Sequence, residues 1–195
     1  MEVEMAATLK ANVREAILSA AKDAAMAYGY GGINFRDLAE AVGIKAASIN
    51  YYFANKALLG EAVARRYWED ISRDLEAISM GAQSPIDALK KYPGIFRLSL
   101  ERNNRMCLSS FMATEHGELP DPVLKEVQAF ADVNAAWIRK QLVDAQLVDP
   151  VDSESRARAI YAAVAGAQIM ARSRSDINLF DSLIESYQKV GLLPN

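Results

Sequence analysis

Cysteine and histidine are nearly absent from this 195-residue chain, which has one of each, Cys107 and His116. A single cysteine excludes an internal disulfide framework, and the two residues together exclude a Cys-cluster or His–His zinc site. A lone histidine also leaves little scope for a nucleophile–His–carboxylate relay. Glycine-rich phosphate loops, internal repeats and low-complexity tracts are missing. So are long apolar runs. The longest stretch without a charge, Ala159 to Ala171, is thirteen residues, short of the roughly 20 that span a bilayer. The first residues, MEVEMAATLK, have no basic start followed by an apolar run. No secretory signal and no membrane partner are therefore expected, and the chain reads as cytoplasmic. No metal and no cofactor are expected either.

What is present is an ordinary globular mixture, 51% hydrophobic and 24% charged, on a length that suits one domain or two small ones. The net charge of −3 does not advertise a nucleic-acid partner. Its distribution is more informative. Residues 1–56 carry six Lys/Arg and six Asp/Glu, so the acidic excess lies in the remaining 139 residues. Between residues 41 and 60 there are two lysines and no acid. A DNA-facing surface would have to be local, on a molecule otherwise mildly repelled by phosphate.

Apolar residues recur at helical spacing almost throughout. Leu9, Val13, Ile17, Ala20, Ala21, Ala24 and Tyr28 form one face of a long helix, with Thr8 as its expected N-cap and the glycines at 29, 31 and 32 ending it. Further helices are expected over 35–42, 45–52, 55–79, 85–102, 105–116, 121–147, 153–173 and 176–190. Asn, Gly and Pro separate them, and Pro85 suits a helix start. The fold class is all-α, with about nine helices and no sheet.

One segment points to function. Residues 35–53, FRDLAEAVGIKAASINYYF, make a helix, a tight turn and a second helix. Ala39 is small where two helices cross, Gly43 can take the positive φ of a sharp turn, and Ile49 returns an apolar side chain to the same small core. That spacing suits a DNA-binding helix-turn-helix; an αα-corner within a bundle uses the same logic. The outward residues of the second helix separate the two readings. Lys45, Ala46, Ser48, Asn50, Tyr51 and Tyr52, with Lys56 just beyond, offer hydroxyls, an amide and lysines without a neighbouring carboxylate. These groups donate to phosphates and base edges, and a solvated bundle face would more often mix in glutamates. Asn34 and Arg36 at the start of the first helix, and Ala47, complete the candidate DNA-binding set.

From about Val13 to Val63 the chain resembles the N-terminal domain of TetR-type transcriptional regulators. The resemblance rests on Ile17-Leu18-Ser19-Ala20-Ala21, Tyr28-Gly29-Tyr30, Phe35-Arg36-Asp37-Leu38-Ala39, Gly43-Ile44, Ser48-Ile49, Tyr51-Tyr52-Phe53 and Lys56-Ala57-Leu58-Leu59. It implies a DNA-binding head over residues 1–55 and a helical inducer-binding and dimerisation domain over 56–195. Its implied partners are a palindromic double-stranded DNA operator, a second copy of the chain and a small-molecule inducer. Asn50 departs from the family, which usually has an aromatic residue there; its amide suits either adenine N6 and N7 or a phosphate.

Beyond the head, two stripes stand out: Ala159, Ala163, Gly166 and Met170, then Leu179, Leu183 and Tyr187. An intramolecular core is one reading of them. The other, which the resemblance favours, is a two-fold four-helix dimer interface. Candidate pocket residues are Phe96, Met106, Cys107, Phe111, Phe130, Trp137 and Tyr161, all of types that equally form core. His116, near a helix end, reads as a surface residue. Cys107 follows Arg102 and Arg105 and lies near an expected helix start, both of which lower a thiol pKa. The stretch from Met106-Cys107-Leu108 to Leu119-Pro120 also resembles TetR-type repressors that sense electrophiles through a cysteine, while an inert buried thiol is the alternative. An all-α enzyme is disfavoured by the missing catalytic sets. A helical interaction module without DNA binding would require Lys45, Tyr51 and Tyr52 to be buried.

Overall fold

The computed structural model describes the backbone from Glu2 to Asn195 and the side chains from Thr8 onward. Ten α-helices and two 3-10 turns make up its regular structure, with no strand among the described residues. They are α1 (Glu2–Tyr28), α2 (Phe35–Val42), α3 (Ala46–Tyr52), α4 (Lys56–Gly81), α5 (Pro85–Lys91), α6 (Pro93–Glu101), α7 (Leu108–Ala113), α8 (Asp121–Asp144), α9 (Ser153–Arg174) and α10 (Ile177–Lys189). The all-α expectation holds.

Three local departures have identifiable causes. The first helix begins at Glu2, so Thr8 lies inside it rather than capping it; the Glu, Met and Ala residues upstream are good helix formers. The helix expected over 85–102 is broken at Tyr92, because Pro93 has no N–H to continue the ladder. Tyr92 keeps right-handed helical angles, φ −52 and ψ −47, so α5 and α6 form one kinked unit and the arrangement still counts as nine. The helix expected over 105–116 shrinks to α7. Asn103 and Asn104 sit at φ 60 and 53, left-handed angles that asparagine tolerates. The Asn104 amide holds the turn by donating to the Arg172 carbonyl and the Ser175 hydroxyl, each at 3.0 Å.

A single apolar core runs from Ile17 in α1 to Leu193 beyond α10. In the head, Ile17, Ala21, Leu38, Ala39 and Ile49 are buried together. Burying each large aliphatic side chain contributes about 1.5–3 kcal/mol. Helix α4 is shared: it packs on α1 at one end and most extensively on α8. Arg66 pairs with Glu15 of α1 at 2.9 Å, while Arg65 (2.6 Å) and the Trp68 indole (2.7 Å) both bind Glu126 of α8. These pairs tie α4 to both α1 and α8.

Candidate nucleic-acid interface

The Asn34 side chain accepts hydrogen bonds from the N–H groups of Arg36 (2.8 Å) and Asp37 (3.4 Å) and starts α2. Asn34, read from the sequence as a DNA-binding residue, is exposed, and its carbonyl oxygen serves as the N-cap, satisfying amides that a helix start leaves open. Gly43 ends α2 at φ 75, ψ 33, and the N–H of Ile44 returns to the Ala39 carbonyl at 3.0 Å. The turn aims α3 across α2, with Ile49 fully buried and Ala39 almost so. Lys45, Ala46, Ala47, Asn50 and Tyr51 are exposed, while Ser48 and Tyr52 are half-buried. The condition that would have favoured an interaction module, burial of Lys45, Tyr51 and Tyr52, is not met: the first two are exposed and Tyr52 is half-buried.

One partner of this face escaped the sequence reading. The Lys10 ammonium, from α1, donates to the Tyr51 hydroxyl at 2.9 Å and lies 5.3 Å from its ring centroid. That hydrogen bond raises the pKa of Lys10 and keeps it cationic. Tyr51 also meets Tyr52 edge to face at 5.2 Å. The spacing of α1 reveals its buried side only, so the reach of Lys10 to another helix was not legible. Lys56, also in the expected set, is half-buried. Its ammonium sits 4.5 Å above the Tyr30 ring and 3.4 Å from the Gly31 carbonyl, tying α4 to the turn between α1 and α2.

The seven candidate pocket residues divide. Phe96, Phe130, Trp137 and Tyr161 come together with Tyr92 and Tyr67, at ring separations of 5.5 to 6.3 Å. Met106 and Phe111 lie apart, held by Arg172. Its guanidinium stacks 4.5 Å over the Phe111 ring, touches the Met106 sulfur at 3.4 Å and donates to the Ala27 carbonyl of α1 at 3.4 Å. A cavity of about 740 Å³ opens elsewhere, between α1, α4 and α6, and none of the seven lines it. Within the aromatic cluster Phe96 and Phe130 are buried, and Trp137 and Tyr161 are half-buried.

Cys107 caps α7 with its thiol buried. Burial pushes the thiol pKa up and outweighs the Ser110 and Ser109 groups and the Tyr67 hydroxyl, which act in the opposite sense. The expected lowering by arginines fails: Arg105 turns away to Asp23 at 2.7 Å, and Arg102 is exposed. Desolvation of a charged form exceeds the help of a single helix turn. The Cys107 backbone is itself fixed by the fully buried Gln168, which accepts from the Cys107 N–H at 3.1 Å and donates to the Phe96 carbonyl at 2.7 Å. The expectation of an accessible, activated thiol is corrected accordingly.

On α9 and α10, Ala159 and Met170 are exposed, and Ala163, Gly166, Leu179, Leu183 and Tyr187 are half-buried. A Cβ placed on Gly166 would meet nothing within 4 Å. The glycine does not serve close packing within this chain; its face is open.

The profile of bacterial regulatory proteins of the tetR family matches residues 17–63. Among solved structures, a TetR transcriptional regulator from Legionella pneumophila superposes with a TM-score of 0.84 at 28% identity, covering 90% of this chain and 95% of that one. A TetR-family regulator from Agrobacterium tumefaciens gives 0.84 at 23% identity, with 92% and 97% covered. The reduced form of E. coli NemR gives 0.81 at 16% identity, with 91% and 96% covered, a likeness of fold alone. No curated protein matches the chain.

Proposed function

We propose that this chain, whose residues 17–63 match the tetR family of bacterial regulatory proteins and which resembles a TetR transcriptional regulator at 28% identity, is a homodimeric DNA-binding repressor of that type, released from a palindromic operator by a small-molecule inducer. The division lies at residue 55, with a DNA-binding head before it and an inducer-binding and dimerisation domain from α4 onward. The observation that carries the proposal is the α2–Gly43–α3 unit, which buries Ile49 and leaves Lys45, Asn50 and Tyr51 exposed. In this role α3 enters the major groove. Asn50, Tyr51 and Ser48 meet base edges or methyl groups, and Lys45, Arg36 and Lys10 meet phosphates.

One seven-residue reading helix holds a half-site weakly, so a second copy is needed. The open faces of α9 and α10 support pairing there. Ile169 and Met170, each 46% exposed, add apolar surface to Gly166. Burial of Cys107 favours a reversibly bound inducer over covalent capture at that thiol. Selection of duplexes from a random pool at physiological salt tests the reading. An enriched palindrome is expected, and recovery of none would refute it.

A further inference from the structure

The groove between α1, α4 and α6 is electrostatically unlike the rest of the chain. Five Lys/Arg and three Asp side chains line it, on a protein of net charge −3. Asp23 is neutralised by Arg105, Asp70 by Arg73, and Lys91 by Asp87. That leaves Lys22 of α1 and Arg102 at the end of α6 without a carboxylate partner among the described residues, against the exposed Asp74. The Asp23–Arg105 pair draws the part of α1 that carries Lys22 towards the loop that carries Arg102. Apolar side chains form the remaining wall: Met26 and Ile71 are buried in it, while Leu98 is 45% exposed with nothing over it. At about 740 Å³ the space falls within the roughly 300–1,000 Å³ of small-molecule sites.

We propose that this groove binds an amphipathic monoanion, an aryl or alkyl body with one carboxylate. The body lies on Met26, Ile71 and Leu98, and the carboxylate is held by Lys22 and Arg102. Charge-assisted bonds from both cations select the anion over a neutral analogue of the same shape, and an ammonium is repelled. Asp74 is exposed to water and leaves the surplus positive. Because Lys22 belongs to the head and Arg102 to the larger domain, one ligand touches both and favours whichever relative position brings them together. The thiol of Cys107 stays outside the site, in contact with Tyr67, which with Ser99 forms the inner wall. The inference rests on the ligand-responsive reading above and gives that ligand a site and a chemical class.

Three probes that share a naphthylmethyl body test it: 1-naphthaleneacetate, 1-naphthalenemethanol and 1-naphthylmethylammonium, titrated into the full chain by calorimetry. The anion should bind at least about tenfold more tightly than the alcohol, and the ammonium most weakly. In the double variant Lys22→Gln/Arg102→Gln, anion affinity should fall to that of the alcohol, whose own affinity is unchanged; circular dichroism verifies that the variant is folded. Leu98→Ala should weaken anion and alcohol alike. Equal binding of the three probes, binding of none, or an anion preference that survives the double substitution would overturn the proposal. Operator retention, measured in parallel, separates the two readings. An anion that binds with the stated preference but leaves DNA affinity unchanged supports the site and removes the inducer role.

Discussion

The carboxylate of Glu115, just beyond α7, accepts a hydrogen bond from the backbone N–H of Tyr30 at 2.6 Å, across eighty-five residues of sequence. Its second oxygen receives the Gly31 N–H at 3.4 Å. The contact joins the larger domain to the turn between α1 and α2, on which the Lys56 ammonium also rests. Gly29 permits it: a Cβ there would collide with the Glu115 carboxylate, at a backbone φ of 71.

Glu115→Ala should therefore lower stability by about 1.5–3 kcal/mol, the range for hydrogen bonds to a charged group. Hydrogen exchange at the Tyr30 amide should accelerate by more than the global change accounts for. Unaltered protection of that amide would show that the turn holds without Glu115.

At Gly43 the cost of a side chain is purely one of backbone. A Cβ meets nothing within 4 Å, but φ is 75. Gly43→Ala should destabilise by about 1–2 kcal/mol in urea titrations, and Gly43→Asn by less, because asparagine tolerates this region. Equal losses would point to a steric cause.

The interface proposed for DNA separates phosphate from base contacts. Lys45→Ala should weaken binding to all sequences about equally and reduce the salt slope by roughly one unit. Asn50→Ala should relax preference at one position per half-site, at about 1–3 kcal/mol of discrimination. Binding assays over a salt series distinguish the two, and a pure salt effect for Asn50→Ala would reassign it to phosphate.

Gly166→Leu probes association because a Cβ added there meets nothing within 4 Å in the chain. Helix content should be retained, while sedimentation at micromolar concentration should show weaker self-association, by about 1–3 kcal/mol of overpacking. A substituted protein that pairs as tightly as the unaltered one would move the interface elsewhere.

The buried thiol of Cys107 gives a pH signature. Its pKa is raised above the ordinary value of about 9. The stabilisation is therefore fully present below that pH, where both folded and unfolded thiols are protonated, and is lost as pH rises towards the folded value. Urea midpoints of the native chain should fall above pH 9 more steeply than those of Cys107→Ala. Native alkylation by iodoacetamide at pH 7 should be far slower than in the unfolded chain; equal rates would return the thiol to the role of an accessible sensor.

Local chemistry was legible in the chain itself. Apolar spacing marked the helices, and Ala39, Gly43 and Ile49 marked the turn that aims α3, because small size, positive φ and apolar character act within a dozen residues. Pro93 could have announced the kink in α5 and α6 by the same kind of rule, had its missing N–H been weighed against the surrounding periodicity. Burial and partnership could not be read this way. Cys107 has arginines beside it in sequence, yet Tyr67 of α4 and Gln168 of α9 are what it meets in the buried interior, and Arg105 is taken by Asp23, eighty-two residues away. The same holds for Lys10 on Tyr51, Glu115 on Tyr30, and Lys22 with Arg102 across one groove. Each depends on which helices meet. Electrostatic work is set by the distance and dielectric of the assembled fold, and only the tertiary structure supplies those.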